Sequence, residues 1–305
     1  MKGPLVYIVV LNWNNYEDTA ECIESLFLLK YDNFKILLVD NASNDGFLVK
    51  LKDRFPNIEV IENQENFGFA KGNNIGIDFA FKKKAEFVFI LNNDVIVKPD
   101  TLDPLVKAAS DNDSNLYAPK VYYYNQPEII NSLGTKLNWL RLRPELSFCG
   151  QKDKGQFKVK REAEVLVGCA LFFSRNFFKK IGLFDESFYM IYEDADICFR
   201  NLEANGKNIV VPDSVVYHKA SATLGKFSAM SSYYSIRNFL YLLSKHGSCR
   251  RFASVFFGLF YLIIKHLILF LGSNKNKLKS TAFFSGISDF FHKRMNKTER
   301  AFNSL

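Results

Sequence analysis

The chain has 305 residues, 48% of them hydrophobic, which is enough to bury a substantial core and excludes a disordered or fibrous polypeptide. Its five cysteines, at 22, 149, 169, 198 and 249, are odd in number, scattered and without any Cys-x-x-Cys, which argues against a disulfide framework or a cysteine zinc site and for a reducing compartment. The formal charge of +8 is unevenly shared: residues 1 to 225 hold 27 Lys or Arg against 30 Asp or Glu, residues 226 to 305 hold 13 against 2.

The first apolar run, residues 5 to 11, is strand-like and stops at Asn12-Trp13-Asn14-Asn15 before a helical stretch through Cys22, Ile23 and Leu26. It is only seven residues long, so no signal peptide is expected and the protein is expected to stay in the cytoplasm. Residues 36 to 39 repeat the arrangement and end on Asp40-Asn41-Ala42-Ser43. Residues 58 to 61 and 87 to 91 do so again, with Gly68, Gly72 and Gly76 between them. Buried strands alternating with helices predict an α/β fold whose parallel sheet is covered on both faces, and polar strand ends predict a ligand site along its carboxyl edge. No Gly-x-Gly-x-x-Gly follows the first strand and no P-loop is present, so hydride transfer and P-loop chemistry are not expected.

The fourth run ends on Asn92-Asn93-Asp94 and a Pro-bearing turn. One carboxylate flanked by amides suits Mg²⁺ or Mn²⁺ holding a phosphate. The same residues would also simply open a turn, with Asp100 capping the next helix. Tyr122-Tyr123-Tyr124, Trp139, Arg141 and Arg143 could line an acceptor groove or belong to a packed flap, so residues 120 to 165 stay open. Glu193, Asp194 and Asp196 place three acids in four residues, a clustering that raises a carboxylate toward the range of a general base and equally suits a helix N-terminus. His218 after Val215 and Val216 reads as a structural residue at a strand end, whereas His246, His266 and His292 are expected at the surface or near a membrane.

The basic C-terminal region begins near Gly225-Lys226. Residues 252 to 272 are interrupted only by Lys265 and His266 and are flanked by Arg250-Arg251 and by Lys275, Lys277 and Lys279. Nucleic acid has no use for so greasy a block, and an anionic membrane surface suits it. Peripheral attachment on the cytoplasmic face is the preferred expectation. A full span, with Lys265 and His266 snorkelling, and a buried helical hairpin of a soluble homodimer are the alternatives.

The ordered motifs "VVLNWNN", "VDNASNDG", "NFGFAKGNNIGI", "LNNDVIVKPDTL", "GCALFFSRNFFKKIGLFDESFYMIYEDADICFR" and "VVYHKAS" resemble those of family 2 glycosyltransferases, particularly bacterial rhamnosyltransferase-like members that build surface polysaccharides. The resemblance covers roughly the first three-quarters of the chain and weakens beyond it to "GISDFFHKR". It implies a GT-A type α/β fold, a mixed and mostly parallel sheet flanked by helices, over residues 1–225, followed by a helical membrane-associated region over 226–305. It further implies an inverting transfer from a nucleotide-sugar donor, dTDP-rhamnose or a UDP-sugar, to a glycan or lipid-linked acceptor, with a Mg or Mn cation.

Carried over residue by residue, Asp40 would bond the base or ribose, with Leu11, Asn12 and Asn14 lining the same pocket. Lys71, Asn73, Asn93 and Glu193 would lie beside the nucleotide or sugar. Asn92-Asn93-Asp94 stands where the family has Asp-x-Asp, with Asn92 replacing the first acid, so the metal falls to Asp94 and His218. Asp194 would be the catalytic base, and Asp196 would orient its neighbours. A single base without a partner carboxylate fits direct inverting displacement. The alternative is a catalytically silent membrane-bound scaffold of a polysaccharide-assembly complex, which the Asn92 departure makes conceivable. A nucleotidyltransferase is disfavoured, because the Gly- and Lys/Arg-rich loop it needs after the first strand is missing.

Overall fold

In the computed structural model, which describes residues 3–44, 46–219, 228–300 and 302, the first apolar run is β1 (Val6–Asn12). It is followed by α1 (Tyr16–Leu26), β2 (Phe34–Asp40), α2 (Phe47–Arg54), β3 (Glu59–Glu62), α3 (Gly68–Lys82) and β4 (Phe87–Asn92). The chain continues through β5 (Val95–Val97), α4 (Leu102–Asp111), β6 (Leu116–Tyr123), β7 (Gln126–Ser132), β8 (Thr135–Asn138), β9 (Arg143–Leu146), β10 (Arg161–Glu162) and β11 (Ala170–Ser174). Then come α5 (Arg175–Ile181), a 3-10 turn (Glu186–Phe188), α6 (Glu193–Glu203), β12 (Asn208–His218), α7 (Ala229–His246), α8 (Cys249–Phe270) and α9 (Asn274–Phe291).

Among the described residues ten strands form one mixed sheet, ordered β10-β12-β6-β11-β4-β1-β2-β3, with β5 on β12 and β7 on β6. β4, β1, β2 and β3 run parallel, as do β6 and β12, and β11 is antiparallel to β4 and β6. β1 alternates across the sheet: Tyr7 and Val9 enter one hydrophobic core, Val6, Ile8 and Val10 the other. Register then fixes the polar edge, because Asn12 lies beside Asp40 and Leu11 beside Asn92 where the parallel strands end.

The glycines of α3 are explained by packing. A Cβ at Gly72 would stand 2.6 Å from Leu11 Cδ1 and one at Gly76 2.4 Å from Val9 Cγ1, so one helix face of small residues lets α3 lie directly on β1.

In the 120–165 segment, Tyr122 is buried and its hydroxyl donates to Asp153 at 2.5 Å, while the Trp139 ring packs 5.3 Å from Phe239. The β8–β9 hairpin turns its Thr135, Leu137, Pro144 and Leu146 toward the cavity that also holds Asp194.

The predicted boundary at 225/226 lies outside the described residues. α7 shares the main core through Phe239, Leu240, Leu242 and Leu243, and α9 packs on it. α8 is different. It has 22 residues, 18 of them forming a window of mean hydropathy 2.0, long and apolar enough by length and composition to cross a membrane, yet only Val255 and Gly258 are buried. One histidine corrects the expectation of a surface or membrane-proximal position. His246 is 7% exposed, its ring reaching Asp196 and Glu203, because it sits on the inner face of α7 where that helix meets α6. His266 is half-buried, stacked 4.0 Å from the Phe283 ring, whereas His292 is exposed. The five cysteines are free thiols.

Candidate active site

The ends of β1 and β2 carry a closed polar cluster. Asn12, 1% exposed, donates through Nδ2 to Asp40 Oδ1 at 2.9 Å, and its Oδ1 accepts from Thr19 Oγ1 at 2.9 Å and from Asn93 Nδ2 at 3.0 Å. Asp40 also accepts from the backbone N–H and the hydroxyl of Ser43. Asn14, exposed and at φ 49°, accepts from Asn44 N–H, and Leu11 is half-buried beside them. Five expected residues, Leu11, Asn12, Asn14, Asp40 and Asn93, are therefore neighbours along one sheet edge. Thr19 and Ser43 complete the cluster, and a hydroxyl one helix turn beyond a strand gave no sequence signal of its own.

Lys71 and Asn73 follow on α3, the helix that lies on β1. Lys71 stacks its ammonium 3.8 Å over the Phe67 ring and lines a separate cavity of about 370 Å³ with Glu186 and Asn296. Asn73 is fully buried in α3, where its Nδ2 donates to Phe69 O at 3.0 Å.

Asn93 and Asp94 form the tight turn between β4 and β5, and β5 pairs antiparallel with the end of β12. That pairing brings His218 Nε2 to 3.2 Å from Asp94 Oδ1 across 124 positions of sequence. Asp100 does not cap α4; it is exposed and pairs with Lys30 at 2.9 Å. Among the described residues no three His, Cys, Asp or Glu side chains cluster as a metal site. One carboxylate and one imidazole nevertheless fit a divalent cation that draws its other ligands from a diphosphate and water. His218 Nδ1 is buried and without a hydrogen-bond partner among the described residues.

Asp194 lies at the start of α6. Gly168 N–H donates to its Oδ2 at 2.9 Å and Ala195 N–H to its Oδ1 at 2.8 Å. Gly168 is small for a reason: a Cβ there would stand 3.2 Å from Asp194 Oδ2. Burial pushes the Asp194 carboxyl above its ordinary range, opposed by those backbone donors. Burial also drives Glu193 well above, the Asp194 charge adding to it, and Glu193 Oε2 is buried without a hydrogen-bond partner among the described residues. Just before them Tyr189, Ile191 and Tyr192 hold φ of 59°, 69° and 75°, the left-handed region that costs a β-branched residue most. Asn238 of α7, fully buried, offsets this strain by donating to the carbonyls of Phe188, Met190 and Ile191 at 2.8, 2.7 and 2.9 Å.

Asn92, Gly168, Glu193, Asp194 and His218 share one cavity of about 520 Å³, walled by the β8–β9 hairpin and by Ser231 and Ser235 of α7. Those two serines were not anticipated; a Ser-x-x-x-Ser spacing on one helix face carries too little information.

The chain is 24% identical over 285 residues to the dTDP-rhamnosyl transferase RfbF of Shigella flexneri, covering 90% of each. It is 24% identical over 273 residues to an N-acetylglucosaminyl-diphospho-decaprenol L-rhamnosyltransferase of Mycobacterium tuberculosis, covering 79% of this chain and 84% of that one. Its fold resembles mannosyltransferase PcManGT of Pyrobaculum calidifontis, solved with GDP-Man and Mn²⁺, at TM-score 0.59 and 14% identity over 96% of this chain and 88% of that one. GalNAc-T7, solved with UDP, GalNAc and Mn²⁺, gives TM-score 0.64 at 19% identity over 79% of this chain, which spans about half (48%) of that protein. These likenesses bear out the GT-A type of mixed α/β fold. The family model for glycosyl transferase family 2 matches residues 7–182, more than half of the chain, and the chain belongs to that family.

Proposed function

We propose that this glycosyltransferase moves a sugar, with inversion, from a nucleoside-diphosphate donor to a lipid-linked or glycan acceptor on the cytoplasmic face of a membrane. The observation that carries the reading is the shared cavity: a burial-raised Asp194 on one wall, and His218, paired with Asp94, on another. Asp194 takes the proton from the acceptor hydroxyl as that oxygen attacks the anomeric carbon, and the sugar–diphosphate bond breaks on the opposite side. Gly168 and Ala195 hold the carboxylate in place during this step. Asp94 and His218 would hold a Mg²⁺ or Mn²⁺ ion, which would supply positive charge against the departing diphosphate. The Asn12–Asp40 cluster receives the nucleoside, and Glu193 faces the transferred sugar. The similarity to dTDP-rhamnosyl transferase RfbF favours dTDP-rhamnose as donor, with UDP-sugars next.

The test is nucleoside-diphosphate release by purified protein in detergent, across dTDP-, UDP- and GDP-sugars with a polyprenyl-linked acceptor, with Mg²⁺ or Mn²⁺ and then with EDTA. Metal-dependent release from one donor is expected. No release, with no donor binding by calorimetry, would favour the silent scaffold instead.

A further inference from the structure

α8 presents an aromatic side to solvent, with Phe256, Phe257, Phe260, Tyr261, Leu267 and Ile268 each more than half exposed. An exposed apolar face of this size marks an interaction surface. Where α8 crosses the tip of the β8–β9 hairpin, Gly258 permits direct backbone contact, since a Cβ there would fall 1.8 Å from Leu140 O. Beside that crossing lies a groove of about 540 Å³ in which Arg141, Arg143 and Lys265 meet the Tyr261 and Leu262 walls. Arg141 pairs with Glu145 at 3.3 Å, while Arg143 and Lys265 are exposed and make no ion pair among the described residues.

Charge selects the occupant. No acidic residue occurs between positions 228 and 288, and Glu145 at the hairpin tip is already paired with Arg141, so a second copy of this face would bring mostly like charge. Nucleic acid would leave the aromatic side uncovered. A lipid layer with anionic headgroups matches both features, because acyl chains cover the rings and guanidinium groups bind phosphate in a planar fork. The hairpin also joins this groove to the catalytic cavity, since its tip lines one and its Leu137, Pro144 and Leu146 line the other.

We propose that the groove between the β8–β9 tip and α8 seats the phosphate headgroup of a membrane lipid, with α8 lying in the plane of the interface. The hairpin thereby delivers a lipid-linked acceptor to Asp194, a role that rests on the transfer reaction proposed above.

Full-length protein is floated with vesicles of phosphatidylcholine alone and of phosphatidylcholine doped with phosphatidylglycerol. Roughly tenfold or greater preference for the doped vesicles is expected, with most of it lost in Arg143→Glu/Lys265→Glu and kept in the remote surface control Lys107→Glu. Melting temperatures confirm that each variant is folded. Equal binding to both vesicle types, or a double variant that keeps the preference, overturns the proposal, as does a stable dimer that covers α8 and ignores vesicles. Donor binding by calorimetry on the wild-type protein reads the transferase separately: donor binding without vesicle preference overturns the lipid seat alone, and the reverse result overturns the transferase reading alone.

Discussion

His246 Nε2 lies 2.9 Å from Asp196 Oδ1, so a helix from the C-terminal region holds a fully buried carboxylate two positions beyond Asp194. Burial alone would raise Asp196, but the His246 hydrogen bond and the Arg200 and Lys245 charges outweigh it and hold the carboxyl at about 2 against an ordinary 3.8. A depressed acid contributes stability that is present above the ordinary value and lost as pH falls toward about 2. The shift corresponds to roughly 2 kcal/mol. His246→Ala is expected to move the acid-unfolding midpoint to higher pH and to cost about 1–3 kcal/mol near neutrality. Denaturant titrations between neutral and strongly acid pH check both, and an unchanged acid midpoint would remove the link.

The Asn238 amide donates to three carbonyls of the strained 188–192 segment, and Asn238→Ala removes that donor from Met190 and Ile191 while Arg237 still reaches Phe188 O at 3.3 Å. A loss of about 1–3 kcal/mol is expected. Because the segment sets the start of α6, kcat should fall while the donor KM stays near the wild-type value. Paired melting and steady-state measurements separate this from a general loss of fold, which would reduce active fraction without changing the pH profile.

Asp194→Asn should lower kcat by about 10²–10⁴-fold and leave donor binding nearly intact. In the wild-type enzyme the rate should decline on the acid side as the base is protonated, with an apparent pKa above the ordinary 3.8 because burial disfavours the charge. The same burial works against the fold: a raised acid stabilises fully below its ordinary value, and that contribution is lost as pH rises through the raised one. The Asn variant, which carries no charge, should therefore melt no lower than wild type at alkaline pH. Wild-type activity in Asp194→Asn would remove this residue from the mechanism.

Asp94→Ala should abolish metal-dependent release, and His218→Ala should weaken it less, because the carboxylate supplies the charge and the imidazole a neutral donor. Mn²⁺ titrations of nucleoside-diphosphate binding read this without turnover. The expected order is wild type tightest, then His218→Ala, then Asp94→Ala. Identical metal dependence in all three would place the cation elsewhere.

The alternation of apolar runs and the polar residues that end them made the sheet and its ligand edge readable in advance, because strand period and parallel register follow from local sequence. Asn12 beside Asp40 and Asn92 beside Leu11 are products of that register. Asp94, Asp194 and His218 were legible as motif residues, but the Asp94–His218 distance was not, since it arises from pairing β5 against β12. The packing role of the α3 glycines came only with the fold, which supplies the side chains of β1 that they admit.

By itself, then, the sequence determined the α/β class, the family, the acids and amides of the site and the basic, apolar character of the C-terminal region. Each of these depends on composition or on neighbours a few positions apart. Only the tertiary structure decided that His246 and Asn238 support the start of α6 and that α8 turns its aromatic side outward. Those outcomes depend on which faces of distant helices meet, a matter of packing that periodicity along one element does not encode.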